Sequence, residues 1–116
     1  MKKRILSLTL ALTMVLAMSI SVFAGSYSSD GYYEGSYYEI TEYCTSDNLS
    51  CSTFCMDYST ETYVKAYNID WDYTVYVGGP SMGASTAYGN PTFEIVSIHT
   101  THRVNNQVVR TNTITP

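Results

Sequence analysis

Hydrophobic and polar positions alternate with a period of two along much of this chain, and that period predicts strands. The cleanest run is residues 68–77. Ile69, Trp71, Tyr73, Val75 and Val77 share one side, and Asn68, Asp70, Asp72, Thr74 and Tyr76 share the other. The run predicts a half-buried strand with Trp71 in the core. A preceding strand is expected from Tyr58 to Tyr67, with a turn or bulge near Asn68. Gly78-Gly79-Pro80 closes the run, and residues 81–91, with Gly83, Gly89 and Pro91, read as a loop. Thr92–Val104 and Gln107–Thr115 are rich in β-branched residues. Asn105-Asn106 between them suits a two-residue type I′ turn, because Asn tolerates positive φ. That register pairs Val104 with Gln107, His102 with Val109 and Ile98 with Thr113.

Composition sharpens the fold class. From residue 40 onward there is one Leu (Leu49), one Lys (Lys65) and three Ala, while Val, Ile, Thr and Tyr dominate. Such residues suit a pleated, half-buried surface and lose rotamer freedom in a helix. The expectation is an all-β domain, a small antiparallel β-sandwich or open barrel of about five to seven strands.

The first 24 residues follow a different pattern. Lys2, Lys3 and Arg4 precede an uncharged apolar run from Ile5 to Val22, and Val22-Phe23-Ala24 offers small residues at the −3 and −1 positions. These are the marks of a secretory signal peptide cleaved after Ala24. The short basic start resembles leaders of Gram-positive bacteria. The rival reading, an uncleaved anchor, is weakened by Ser7, Thr9, Thr13, Ser19 and Ser21 within the run. Three segments follow: a signal peptide over 1–24, a Ser/Gly/Tyr-rich flexible arm over 25–39, and a single β domain over 40–116. The arm has no aliphatic residue. The expected localisation is extracellular.

Cleavage removes three positive charges, so a net charge of −4 becomes −7, with only Lys65, Arg103 and Arg110 left as cations. A chain this acidic lacks the electrostatic footprint of a nucleic-acid binder and is repelled by anionic lipid. Export permits disulfides, and three cysteines allow one internal bridge at most. Cys51 and Cys55 on one strand would lie about 13 Å apart, too far to bridge. The expected pair is Cys44 with Cys51 or with Cys55, and the spare thiol is available for a disulfide-linked homodimer or for burial as a small apolar residue.

Several motifs invite chemistry. Gly79-Pro80-Ser81-Met82-Gly83 matches the nucleophile elbow of hydrolases, followed by Glu94 and by His99 or His102. No helix can follow through Gly83, Gly89 and Pro91, and the remaining chain is too short for the parallel sheet that carries such an elbow. Asn68-x-Asp70-x-Asp72 opens like a calcium loop, but Tyr73 and Gly79 stand where Gly and Glu are required. His99 and His102 point to opposite faces of a regular strand, and Cys51-x-x-x-Cys55 lacks zinc-ribbon spacing. Asn48-Leu49-Ser50 is a glycosylation sequon by pattern only. No catalytic residue, metal ligand or cofactor is assigned.

The 12 tyrosines, all beyond residue 24, are the main functional signal. They are too many for one small core, and exposed Tyr combines apolar area with a hydroxyl at low entropy cost. Tyr32, Tyr33, Tyr37, Tyr38 and Tyr76 are the candidate binding surface. The sequence therefore predicts a secreted, non-enzymatic β domain that acts by surface binding, to a cell-surface glycan or protein, or by self-association. The alternative is a secreted antimicrobial or toxin-like protein, although this acidic chain lacks the cationic amphipathic segments of pore formers.

Overall fold

The computed structural model describes residues 24–116, so the leader to Phe23 lies outside the described residues. Six antiparallel strands form a sheet curled into a half-barrel. They are β1 (Ala24–Tyr33), β2 (Ser36–Thr45), β3 (Leu49–Tyr67), β4 (Tyr73–Gly89), β5 (Ser97–Val104) and β6 (Gln107–Ile114).

Local turn chemistry sets three of the connections. Glu34 and Gly35 both take positive φ between β1 and β2, and so do Asn105 and Asn106 between β5 and β6. These are the left-handed pairs that a two-residue hairpin needs to match strand twist. Between β2 and β3, the Thr45 hydroxyl oxygen accepts from the Asp47 and Asn48 amides, each at 3.1 Å.

The 19-residue β3 organises the rest. Residues 49–55 pair with β2 and residues 60–67 with β5, while β4 runs along both halves. Register shifts fall between Phe54 and Ser59 and between Thr60 and Thr62. They exchange the buried set from Leu49, Cys51, Thr53 and Cys55 to Thr60, Thr62, Val64 and Ala66. Extra residues in one strand bend the ladder and flip the face that turns inward. The sheet curls at this bend. Cys44, Leu49, Cys51, Val64, Ala66, Ala87, Ile95 and Ile98 close one end as an apolar cluster.

Several expectations are corrected. Asn68–Asp72 is a turn, not strand: the Asn68 side-chain oxygen accepts from the amides of Asp70 (2.9 Å) and Asp72 (3.0 Å). Trp71 sits in that turn at φ 63°, 68 % exposed, and not in the core. Residues 81–91 are not a loop, because β4 continues to Gly89. Residues 25–39 are paired as β1 and the start of β2 and do not form a free arm. The strand expected from Thr92 begins only at Ser97, although Ile95 is fully buried.

The last hairpin keeps Val104 opposite Gln107. A bulge between His102 and Arg103 then shifts His102 to Arg110 and Ile98 to Ile114.

Candidate functional site

The chemistry-bearing side chains divide into a sealed interior relay and an exposed aromatic surface. The relay is assembled by the curl. Glu42 of β2, Thr100 and His102 of β5, and Thr53 and Thr62 of β3 all point inward and are buried. His102 Nε2 donates to Glu42 Oε2 at 2.5 Å, and the Thr100 hydroxyl donates to the same oxygen at 2.5 Å. Asn112 Nδ2 donates to Glu42 Oε1 at 3.0 Å. On the other ring face, His102 Nδ1 lies 2.7 Å from Thr53 Oγ1. Thr53 continues to Thr62 at 2.8 Å, and Thr62 to Ser85 at 3.0 Å.

Burial pushes the Glu42 carboxyl up, but hydrogen bonds from His102, Thr100 and Asn112, with the charge of His102, outweigh it. The carboxyl is held below its ordinary range. The hydroxyl chain can run in either direction. Ser85, Thr62 and Thr53 can each pass a proton bond toward a neutral His102. A charged His102 can instead donate to Thr53, with Thr62 ending on the Ser85 carbonyl at 3.3 Å. Every polar atom has a partner in both arrangements, and no buried side-chain N or O among the described residues is orphaned.

A hydroxyl–imidazole–carboxylate order resembles a nucleophilic triad in connectivity. Thr53, His102 and Glu42 are all buried, at 2 % exposure or less, and the Thr53 hydroxyl has no exposed surface. The arrangement fastens strands together across the curl.

The motifs of the sequence are not brought together. Ser81 lies within β4, opposite Thr60. His99 faces out and bonds Thr113 at 3.0 Å, away from His102. Among the described residues, no group of three or more His, Cys, Asp or Glu is placed to hold a metal ion.

Cys44, Cys51 and Cys55 are free and buried, which corrects the expected bridge. Register explains this. Cys44 stands opposite Leu49, Cys51 opposite Glu42 and Cys55 opposite Tyr38. Cys44 and Cys51 are therefore diagonal neighbours, separated by about 7–8 Å where directly opposed residues are nearer. Cys55 is further along the ladder and contacts the Ser36 hydroxyl at 3.3 Å. Burial, reinforced by the Glu42 charge, pushes the Cys44 thiol up to about 12. Burial does the same to Cys51, partly offset by the Tyr43 backbone.

Of the tyrosines singled out in the sequence, Tyr32 and Tyr37 meet edge to face, with ring centres 5.7 Å apart. Tyr33 packs on Tyr58 at 5.2 Å near the same hairpin tip. The Tyr37 hydroxyl donates to Glu39 at 2.6 Å with Asp30 3.2 Å away, and the bond to Glu39, with the charge of the two carboxylates, raises its pKa. Tyr38 lies across Gly31, and Tyr76 packs half-buried against the apolar cluster and over Gly89. Those two do not join the surface.

A second aromatic surface escaped the pattern analysis. Tyr67 meets Trp71 at 6.0 Å and Tyr73 at 5.5 Å, and Lys65 Nζ sits 4.9 Å from the Tyr73 ring centre. Ile69 is exposed beside them. A depression of about 320 Å³ adjoins the corner, lined by Asn68, Ile69, Asp70, Phe93, Glu94 and Val96. The available signal was Asn68 itself, a residue that favours turns, placed before the apolar run. Comparison with protein-family models, with curated proteins and with solved structures gives no match to this chain.

Proposed function

We propose that this protein is an exported, non-enzymatic β domain, an open half-barrel, that binds a neutral cell-surface glycan through the Trp71 corner. The observation that carries the reading is Trp71, a bulky residue at positive φ with its indole in water. That conformation costs of order 1–3 kcal/mol, and outliers of this kind cluster at functional positions. Aromatic faces offer stacking area to sugar C–H faces, and Asp70 and Asp72 beside them offer hydroxyl acceptors. The surplus of acidic residues disfavours anionic polymers.

Export rests on the basic start, the apolar run and the Val22-Phe23-Ala24 site. Cleavage there leaves β1 whole apart from Ala24. The sealing of the Thr53–His102–Glu42 relay supports a structural role for it.

The test is cosedimentation of secreted protein with washed bacterial envelopes, in competition with a soluble neutral polysaccharide. Trp71→Ala should abolish sedimentation without loss of folding. Retained sedimentation of that variant would contradict the reading, and growth inhibition of neighbouring strains would favour the antimicrobial alternative.

A further inference from the structure

We propose that the first half of β4 pairs, antiparallel and edge to edge, with the same segment of a second copy of this chain. The paired edge shares Tyr73 with the rim of the Trp71 corner, but the inference does not rest on the glycan reading. Among the described residues β4 hydrogen-bonds as a strand only to β3, so its other edge carries unpaired backbone donors and acceptors. Natural sheets protect such edges with charges, Pro or short strands. The segment Tyr73–Gly78 has none of these. Across all 17 residues β4 carries no charged side chain, whereas every other strand carries at least one. Tyr73, Val75 and Val77 stand on the outward face at 52 %, 37 % and 53 % exposure. On the opposite face Thr74 is exposed too, but Tyr76 is half-buried and Gly78 is buried against the Thr86 backbone, so the open side of this strand is the outward one.

The occupant follows from charge and symmetry. Copies of −7 after cleavage repel over most of their surface, and β4 is the strand along which that repulsion is least. A two-fold axis near Val75 sets Tyr73 opposite Val77 of the second copy and Val75 opposite Val75. The result is one continuous apolar stripe on the shared face, as an isologous contact requires. The nearest carboxylate, Asp72, then falls opposite Gly78. The two copies of Asp72 lie about 20 Å apart along the strands, beyond the screening length at physiological salt. Strand addition of this kind takes its affinity from main-chain hydrogen bonds.

Light scattering after gel filtration of the secreted protein tests the inference. The expected mass is twice that of the monomer at high micromolar concentration, falling on dilution. Val75→Lys should give the monomer mass at every concentration with an unchanged strand signal by circular dichroism. Val108→Lys, on another exposed apolar position, should leave the dimer intact. A second measurement avoids any doubt about folding of the lysine variant: Val75→Cys should form a symmetric intermolecular disulfide on mild oxidation, and Val108→Cys should not. Monomeric wild type at all concentrations, or a Val75→Lys variant that still dimerises, would overturn the pairing. Cosedimentation with envelopes reads the glycan proposal separately, so either can fail alone.

Discussion

His102 lies fully buried between a carboxylate and a hydroxyl, and removing its ring strands Glu42 as a buried charge. His102→Ala should cost about 3–5 kcal/mol, read from denaturant melts. Glu42 carries the pH dependence. Its folded pKa is depressed, so its stabilisation is present above the ordinary carboxylate value and is lost as pH falls through the folded value. Melting temperature should drop on acidification from neutral pH, and Glu42→Gln should lower it at neutral pH while flattening the acid slope. The thiols behave oppositely to an exported disulfide pair. With Cys44 and Cys51 at about 12, a thiol reagent at mildly alkaline pH should label neither in the native state and both after unfolding. None of these partners was legible in the sequence, because Glu42 and His102 are 60 residues apart. A trace of them was visible: Glu42 shares a phase with Ile40 and Cys44, and His102 with Ile98 and Val104. A polar residue in an apolar phase implies a buried partner without naming it.

Elements were readable where the signal was local. The β5–β6 turn is set by Asn105 and Asn106, which both adopt positive φ. Asn106→Ala should cost about 1–2 kcal/mol and Asn106→Gly close to nothing, measured by chemical denaturation. The 68–77 run had the right period on the wrong side. Its apolar residues face water, while the inward side of β4 is Thr74, Tyr76 and Gly78. A side-chain carbon at Gly78 would collide with the Thr86 backbone, and one at Gly89 would meet the Tyr76 ring at 2.6 Å. The two ends of β4 approach so closely across the curl that this interior takes almost no side chain there. Small residues on the inward side let exposed Val and Tyr look like the buried set. Gly78→Ala should therefore destabilise by about 1–3 kcal/mol. Gly79, Pro80 and Gly83, which read as loop, are the corner of one strand, with Gly79 and Gly83 at positive φ.

At the scale of the molecule, an acidic half-barrel keeps its polar network inside and much of its aromatic area outside. The curl that joins Glu42 to His102 depends on the β3 register shifts, and a long-range bend has no signature in a period of two. All-β character was legible from composition, but which face turns inward was not. Trp71 tests the account most directly, because it is the chain's single tryptophan and the proposed binding corner depends on its exposure. Intrinsic fluorescence with iodide quenching should give the red-shifted emission of a water-exposed indole, strongly quenched in the native protein. The Trp71→Ala variant should melt within about 0.5 kcal/mol of wild type. A blue-shifted, shielded emission, with a Trp71→Ala variant destabilised by several kcal/mol, would return Trp71 to the core and contradict the account.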